Sequence, residues 1–253
     1  MTMAATIDTK PRFVGAKGGS GIAQWLISLM PPHSRYVEAF LGTGVVMRTK
    51  LKAARNIGIE LDPQTINDFW TPRPAGMELH PCDALTVLPT LNLTSHDLVY
   101  ADPPYLGAVR SDVNRRYYKH DAMSSEWHTQ LLTVLCSLKC MVILSGYECD
   151  EYNTQLVGWR TAYKWTVNRA GARVKEFVWM NFESPAMLHD ARFVGGNYTD
   201  RQRVKRKMER WKKNFSALPF DERWAMYDAL SSVVDAPPPA LITKEQPKQT
   251  TLI

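Results

Sequence analysis

Apolar residues in this chain gather in short runs, and the runs alternate with stretches of helical spacing. Residues 20–30, SGIAQWLISLM, predict a helix after a Gly-rich turn. Tyr36 to Phe40 predicts a short strand, followed by Leu41-Gly42-Thr43-Gly44 and a helix through about Lys52. Asn56 to Glu60 predicts a second strand, and Thr65 to Trp70 the start of a short helix. Leu98 to Ala101 predicts a short buried strand closing on Asp102-Pro103-Pro104. A helix is expected from Ser125 to about Leu138, with Ser124 as its N-cap and Trp127, Leu131, Leu132 and Leu135 on one face. Met141 to Leu144 predicts another buried strand. Strands at 159–168 and 173–182 flank Arg169-Ala170-Gly171-Ala172, a hairpin signal. Strands alternating with helices predict an α/β fold whose sheet is mostly parallel, with an antiparallel C-terminal hairpin. From about Asp200 the pattern changes to two long charged helices, a small helical appendage.

Composition narrows the setting. A chain of 253 residues is one large domain or one domain with an appendage. The expected divisions are 11–188, a helical segment 189–235 and a flexible tail 236–253. The first ten residues also read as disordered, and the tail holds four prolines and little that could form a core. Cys82, Cys136, Cys140 and Cys149 show no paired CxxC spacing, and the six His are scattered, so no metal is expected. Lys139 interrupts the longest apolar stretch well short of the ~18 residues a membrane span requires, so no membrane is expected. MTMAATIDTK lacks the apolar region of a signal peptide, and a reducing, cytoplasmic setting is expected.

Charge is unevenly placed. The formal net charge is +6, but residues 201–213, RQRVKRKMERWKK, hold eight basic residues and one acidic. That segment carries +7, leaving −1 for the remaining 240 residues. It is either a solvated helix face or a surface that grips phosphates.

Four constellations carry candidate chemistry. The first is VEAFLGTGVV, residues 37–46, where glycines at a strand-to-helix turn let backbone approach a ligand closely. Such turns also serve packing alone. The second is Glu60, in NIGIELDP. An acid about 20 residues past a Gly-rich turn can accept two ribose hydroxyls. Asp62 competes for that role, but Glu60 falls at the strand end, where ligands of open α/β sheets bind. The third is Cys82-Asp83-Ala84, a strand-to-helix junction. There Asp83 reads first as a helix cap and second as an acceptor for an exocyclic amino group. The fourth is Leu98-Val99-Tyr100-Ala101-Asp102-Pro103-Pro104-Tyr105. Two prolines fix φ and leave their carbonyls free to accept. Asp102 is a further acceptor and Tyr105 offers a ring face. The set can grip a planar amino group through both hydrogens while a ring stacks on the base. A merely rigid turn accounts for the prolines but not for the whole tetrapeptide.

At these residues the chain resembles the S-adenosylmethionine-dependent DNA adenine-N6 methyltransferases, the family of the bacterial GATC-modifying enzyme and many phage-borne relatives. Arg12-Phe13-Val14-Gly15-Ala16-Lys17-Gly18-Gly19 resembles the N-terminal cofactor motif. Glu38-Ala39-Phe40-Leu41-Gly42-Thr43-Gly44 resembles the Glu-Pro-Phe-x-Gly-x-Gly loop, with Ala39 in place of the proline. Glu60 takes the place of the ribose-binding acid, Asp83 beside Ala84 that of the adenine-binding acid. Asp102-Pro103-Pro104-Tyr105 matches the catalytic motif. The resemblance covers about residues 11–182. It implies a Rossmann-like methyltransferase sheet and S-adenosylmethionine as cofactor, bound by Phe13, Lys17, Glu38, Phe40, Gly42, Gly44, Glu60, Asp83, Ala84 and Asp102. It also implies double-stranded DNA as partner and a base-flipping mechanism. The target adenine would stack on Tyr105 while Asp102 and the Pro103 carbonyl accept from N6, followed by direct displacement.

The departures matter. Only 18 residues separate Asp83 from Asp102, where the GATC enzyme carries a large target-recognition region. Recognition is therefore expected elsewhere. One place is the segment 107–125, with Arg110, Arg115, Arg116, Tyr117, Tyr118 and Lys119 interleaved. Another is the basic helix, with Arg203, Lys205, Arg206, Lys207 and Arg210. Lys175 and Glu176, in the last strand pair, read as a cross-strand charge pair rather than as residues facing DNA. Trp159, Trp165, Trp179, Trp211 and Trp224 read as core or interhelix packing. Competing functions are an RNA adenine-N6 methyltransferase and a non-catalytic nucleic-acid-binding protein that keeps the fold. Cytosine-N4 methylation usually shows Ser-Pro-Pro-Tyr. The recognition sequence, the oligomeric state and pairing with a cognate restriction nuclease are not legible here.

Overall fold

A computed structural model describes residues 21–104, 124–167 and 171–234. Phe13, Lys17, Tyr105, the six recognition candidates from Arg110 to Lys119, the Arg169-Ala170 turn, the first ten residues and the tail 236–253 lie outside the described residues.

The elements are α1 (Ile22–Ile27), β1 (Arg35–Glu38), α2 (Val45–Thr49), β2 (Arg55–Ile59) and α3 (Pro63–Trp70). Then follow β3 (Met77–His80), α4 (Ala84–Val87), β4 (Asp97–Ala101), α5 (Ser125–Ser137), β5 (Met141–Gly146) and α6 (Asp150–Gln155). The chain continues through β6 (Arg160–Val167), β7 (Arg173–Met180), α7 (Tyr198–Ser216) and α8 (Phe220–Val234). Seven strands form one sheet in the order β3-β2-β1-β4-β5-β7-β6. The pairs from β3 to β5 are parallel, and β7 is antiparallel to both β5 and β6. This is the mostly parallel α/β sheet with an antiparallel hairpin that the residue pattern predicts, followed by C-terminal helices. The strand order is Rossmann-like.

The burial pattern explains the arrangement. β4 is buried at every residue, as expected for a strand covered on both faces. Its side chains alternate between two cores. Leu98 and Tyr100 join the cluster formed with α1, α2 and α3, where Leu26, Val46 and Trp70 lie. Val99 and Ala101 join the cluster formed with α4, α5 and α6, where Val87, Leu131, Leu135 and Tyr152 lie. Helix α5 starts as expected: Ser124 Oγ accepts from the Trp127 N–H at 3.2 Å. β6 behaves differently because it is an edge strand, with alternating half-buried and exposed residues.

Three elements carry little sequence signal. β3, MELH, is an edge strand with one buried residue. α4 spans four residues, and α6, DEYNTQ, buries only Tyr152. Short or one-sided elements show no apolar run to read. The helix after the Gly-rich turn stops at Thr49 rather than near Lys52, because Lys50 turns to extended backbone.

The chain divides into two compact units, Met1–Arg201 and Gln202–Ile253. Residues 189–192 are tied into the first unit. Asp190 is fully buried, accepts from the Leu51 N–H at 3.0 Å and pairs with Arg192 at 2.7 Å. Within the second unit, α8 exposes Phe220, Trp224, Tyr227 and Leu230. Trp211 and Trp224 are exposed, against the expectation of interhelix packing, and so is Trp165 on the edge strand. Trp179 is core.

Candidate functional site

Four neighbouring strands end in a row. The Ala39 N–H donates to Tyr100 O at 2.9 Å, Leu41 N–H to Ile59 O at 2.9 Å and Glu60 N–H to His80 O at 3.1 Å. Each bond binds one strand's exit to its neighbour. The Gly42 loop, Glu60, Asp83 and Asp102 therefore leave the sheet at one carboxyl edge. Between β1 and β4 the chain order reverses, and such switch points open crevices for ligands.

The Gly-rich loop needs its glycines. Gly42 and Gly44 have φ of 48° and 59°, the left-handed region. A Cβ on Gly44 would sit 2.2 Å from the Trp70 ring. Trp70 is the loop's floor. Its indole N–H donates to Gly42 O at 2.7 Å, and Arg48 lies 4.0 Å over the ring. Sequence reasoning places Trp70 only as the end of a helix. Its role comes from a contact 28 residues distant, which periodicity does not show.

Glu60 grips the same loop. Its carboxylate accepts from the Gly42 N–H at 2.7 Å and the Asp62 N–H at 2.9 Å. Burial pushes its pKa above the ordinary carboxylate value. A carboxylate has about four acceptor positions, and with the Leu61 N–H also bonded to it about one remains for a ligand. Asp62 caps α3, accepting from the Gln64 and Thr65 N–H groups at 3.3 and 3.1 Å. The two acids thus divide: one holds the loop, the other a helix. Asp83 caps α4 through the Leu85 N–H at 3.0 Å, so the cap reading holds for one of its oxygens. Ala84 behind it is buried.

Glu38 is buried against α2 and accepts from Tyr36 OH at 3.0 Å. Burial drives its pKa up to about 8. Phe40, on the other side of the same turn, packs edge-on to Trp127 at 5.9 Å.

Asp102 follows the last residue of β4. Pro103 is buried, while Asp102 and Pro104 are half-buried. Register places Ala101 beside Leu144, so Asp102 meets Ser145. Ser145 Oγ donates to Asp102 Oδ1 at 3.0 Å and lies 3.0 Å from Tyr100 OH. Ser145 is fully buried. The carboxylate is thus anchored from the neighbouring strand by a neutral hydroxyl. The sequence clue was a hydroxyl within the apolar run MVILSG of β5.

Of the basic residues expected on the C-terminal helix, Arg203, Arg206, Lys207 and Arg210 line one cleft on α7. Their spacing of three, four and seven puts them on one helix face. Lys205 instead lies 3.8 Å from Glu209, an exposed pair. Lys175 and Glu176 do not form the expected pair. Lys175 lies 3.8 Å from Glu148, and Glu176 is buried, facing Lys164 across the hairpin. Adjacent residues of a strand point to opposite faces, which separates them. Among the described residues, no three His, Cys, Asp or Glu side chains gather as a metal site would. No described helix is long and apolar enough to cross a membrane.

No protein-family model matches the chain, and no curated protein matches it. Solved structures do show similarity. An rRNA methylase from Streptococcus thermophilus is 11% identical, with a TM-score of 0.41 over 62% of this chain and 92% of the other. A SAM-dependent methyltransferase from Agrobacterium tumefaciens is 11% identical, with a TM-score of 0.39 over 63% and 60%. A precorrin 8W decarboxylase from Methanobacterium thermoautotrophicum is 14% identical, with a TM-score of 0.37 over 61% and 84%.

Proposed function

We propose that this chain transfers a methyl group from S-adenosylmethionine to N6 of adenine in DNA. The observation that carries the reading is Asp102-Pro103-Pro104 at the carboxyl end of a buried strand, beside the Gly42–Gly44 loop, with the carboxylate anchored by Ser145. Asp102 and the Pro103 carbonyl are acceptors in sequence. An exocyclic amino group has two hydrogens to give them. Holding both orients the nitrogen lone pair away from the acceptors and fixes the amine in place. Water is kept from the sheet side by the buried residues of β4.

The residues present fit the cofactor. Gly42 and Gly44 supply backbone without a Cβ, Glu60 keeps about one acceptor position for a hydroxyl, and Asp83 has a second oxygen beyond its cap. Glu38 is farther from such a role, since its carboxylate is buried and takes the Tyr36 hydroxyl. When bound, S-adenosylmethionine supplies an electrophilic methyl on a sulfonium. On this reading the first unit does the chemistry, and the basic face of α7 in the second holds DNA.

The test is incubation with methyl-labelled S-adenosylmethionine and unmethylated genomic DNA or structured RNA, followed by nucleoside analysis. N6-Methyladenine is expected in DNA, and Asp102→Ala should abolish it. Label in RNA alone would overturn the DNA substrate. Binding without label in either would support the non-catalytic alternative. Neutralising Arg203, Arg206, Lys207 and Arg210 should flatten the salt dependence of duplex binding by about 0.9 unit per lost phosphate contact. An unchanged slope would move those contacts to 107–125.

A further inference from the structure

The β6–β7 hairpin presents an unusual outward face. β6 is an edge strand, and the exposed positions of such a strand are ordinarily polar or charged. Here Tyr163, Trp165 and Val167 occupy them, at 47%, 45% and 58% exposure. The opposite positions are accounted for: Ala162 packs into the core, and Lys164 Nζ donates to Gly196 O at 2.8 Å. Two cations interleave with the exposed rings. Arg173 lies 4.5 Å from the Trp165 ring centre, and Lys175 lies 4.7 Å from that of Tyr163. Tyr163 stacks on Phe177 at 6.1 Å, so the row is braced against the core.

Register fixes where this face lies. Phe177 pairs with Gly146, and Tyr163 pairs with Phe177. Ser145, one residue earlier, is bonded to Asp102. Trp165 pairs with Lys175, two residues farther towards the hairpin tip. The hairpin therefore overhangs the carboxyl edge that holds Asp102. Three strand spacings of about 4.8 Å put β6 roughly 14 Å from β4.

We propose that this face binds an unpaired strand of DNA beside the target base, with bases on Tyr163 and Trp165 and phosphates on Arg173 and Lys175. Rings and cations in alternation match the repeat of base and phosphate, and only an unpaired strand exposes its base faces. Arg173 supplies charge complementarity, and so does Lys175 on exchanging its exposed 3.8 Å pair with Glu148 for a phosphate. Placing the strand beside a target base rests on the methyl-transfer reading; the contact itself does not.

The test is fluorescence anisotropy of the full chain with a labelled oligothymidine, across a salt series. Trp165→Ala should weaken binding about tenfold with an unchanged salt slope, since base stacking is not ionic. Trp165→Phe keeps a ring and should stay near wild type. Arg173→Gln with Lys175→Gln should flatten the slope by about 1.4, from two contacts at about 0.7 each on single strands. Wild-type affinity and slope in all three variants would overturn the proposal. So would an oligouridine RNA bound tenfold more tightly than the DNA. Loss of self-association in Trp165→Ala, with DNA binding intact, would make this a contact between copies instead. If the binding losses occur but no label reaches adenine, the surface stands and the methyl-transfer reading falls. Methylation with unaltered binding in the variants leaves the opposite result.

Discussion

Ser145→Ala offers a direct probe of the candidate site, because it removes one atom that serves two partners. Its Oγ bridges Asp102 Oδ1 and Tyr100 OH, each at 3.0 Å, from a fully buried position. A hydrogen bond to a charged acceptor is worth about 1.5–3 kcal/mol, and one between neutral groups about 0.5–1.5. Losing both should cost roughly 2–4 kcal/mol of stability. In a domain of this size that lowers Tm by roughly 2–4 °C per kcal/mol, so about 4–16 °C. The kinetic expectation is separate. If Ser145 positions Asp102, its loss should lower kcat about tenfold while the KM for S-adenosylmethionine changes little. Ser145→Cys retains a weak donor and should fall between. The assay is methyl incorporation below the variant's melting range, alongside thermal unfolding. A lower Tm with kcat unchanged would show that the bridge only supports the fold. A raised cofactor KM with kcat intact would show that Ser145 serves the cofactor side.

Gly44→Ala should cost more than the ordinary strain of a left-handed residue, since its Cβ would meet the Trp70 ring at 2.2 Å. Weakened cofactor binding by calorimetry, with partial recovery in Gly44→Ala/Trp70→Phe, is expected; full affinity in the single variant would refute the loop's role. Glu38 has a folded pKa raised to about 8 by burial, against an ordinary value of 4.5. The folded state holds that proton across the window and the unfolded state does not, so this carboxyl makes stability fall as pH rises from about 4.5 to 8. Glu38→Gln should therefore gain on wild type between pH 5 and pH 8 in urea unfolding, and a constant difference would refute the assignment.

The parts of the fold most legible in the sequence were those with a one-dimensional signature. β4 reads as an apolar run ended by Asp102, and α5 reads from Ser124 and the 127/131/132/135 face. Asp83 reads as a cap because capping is local. Trp70 under the Gly loop and Ser145 behind Asp102 did not read this way. Both act across strands or between a helix and a loop, and nothing within a few residues of either announces the partner. The Lys175–Glu176 expectation failed for a geometric reason visible in any strand. Neighbours along the chain face opposite sides, so Glu176 is buried while Lys175 reaches Glu148. Trp165 is exposed rather than packed, because aromatic content alone does not distinguish a core strand from an uncovered edge.

The electrostatics of the proposed reaction favour separating its two ligands. Glu60, Asp83 and Asp102 crowd one edge of a unit that is close to neutral overall, while the buried Glu38 keeps its proton. That edge suits a sulfonium and an amino group, and it disfavours phosphates. A polyanion must therefore be held by cations placed away from it. Arg173 and Lys175 lie on β7, two strand spacings or roughly 10 Å from β4 across the sheet. At physiological ionic strength the Debye length is about 8 Å, so the carboxylates are partly screened from a strand bound there. Near the crevice itself the same repulsion remains, and it acts on the backbone rather than on a neutral base. On the proposed reading an extruded adenine enters among the carboxylates while its phosphates stay outside, on the hairpin.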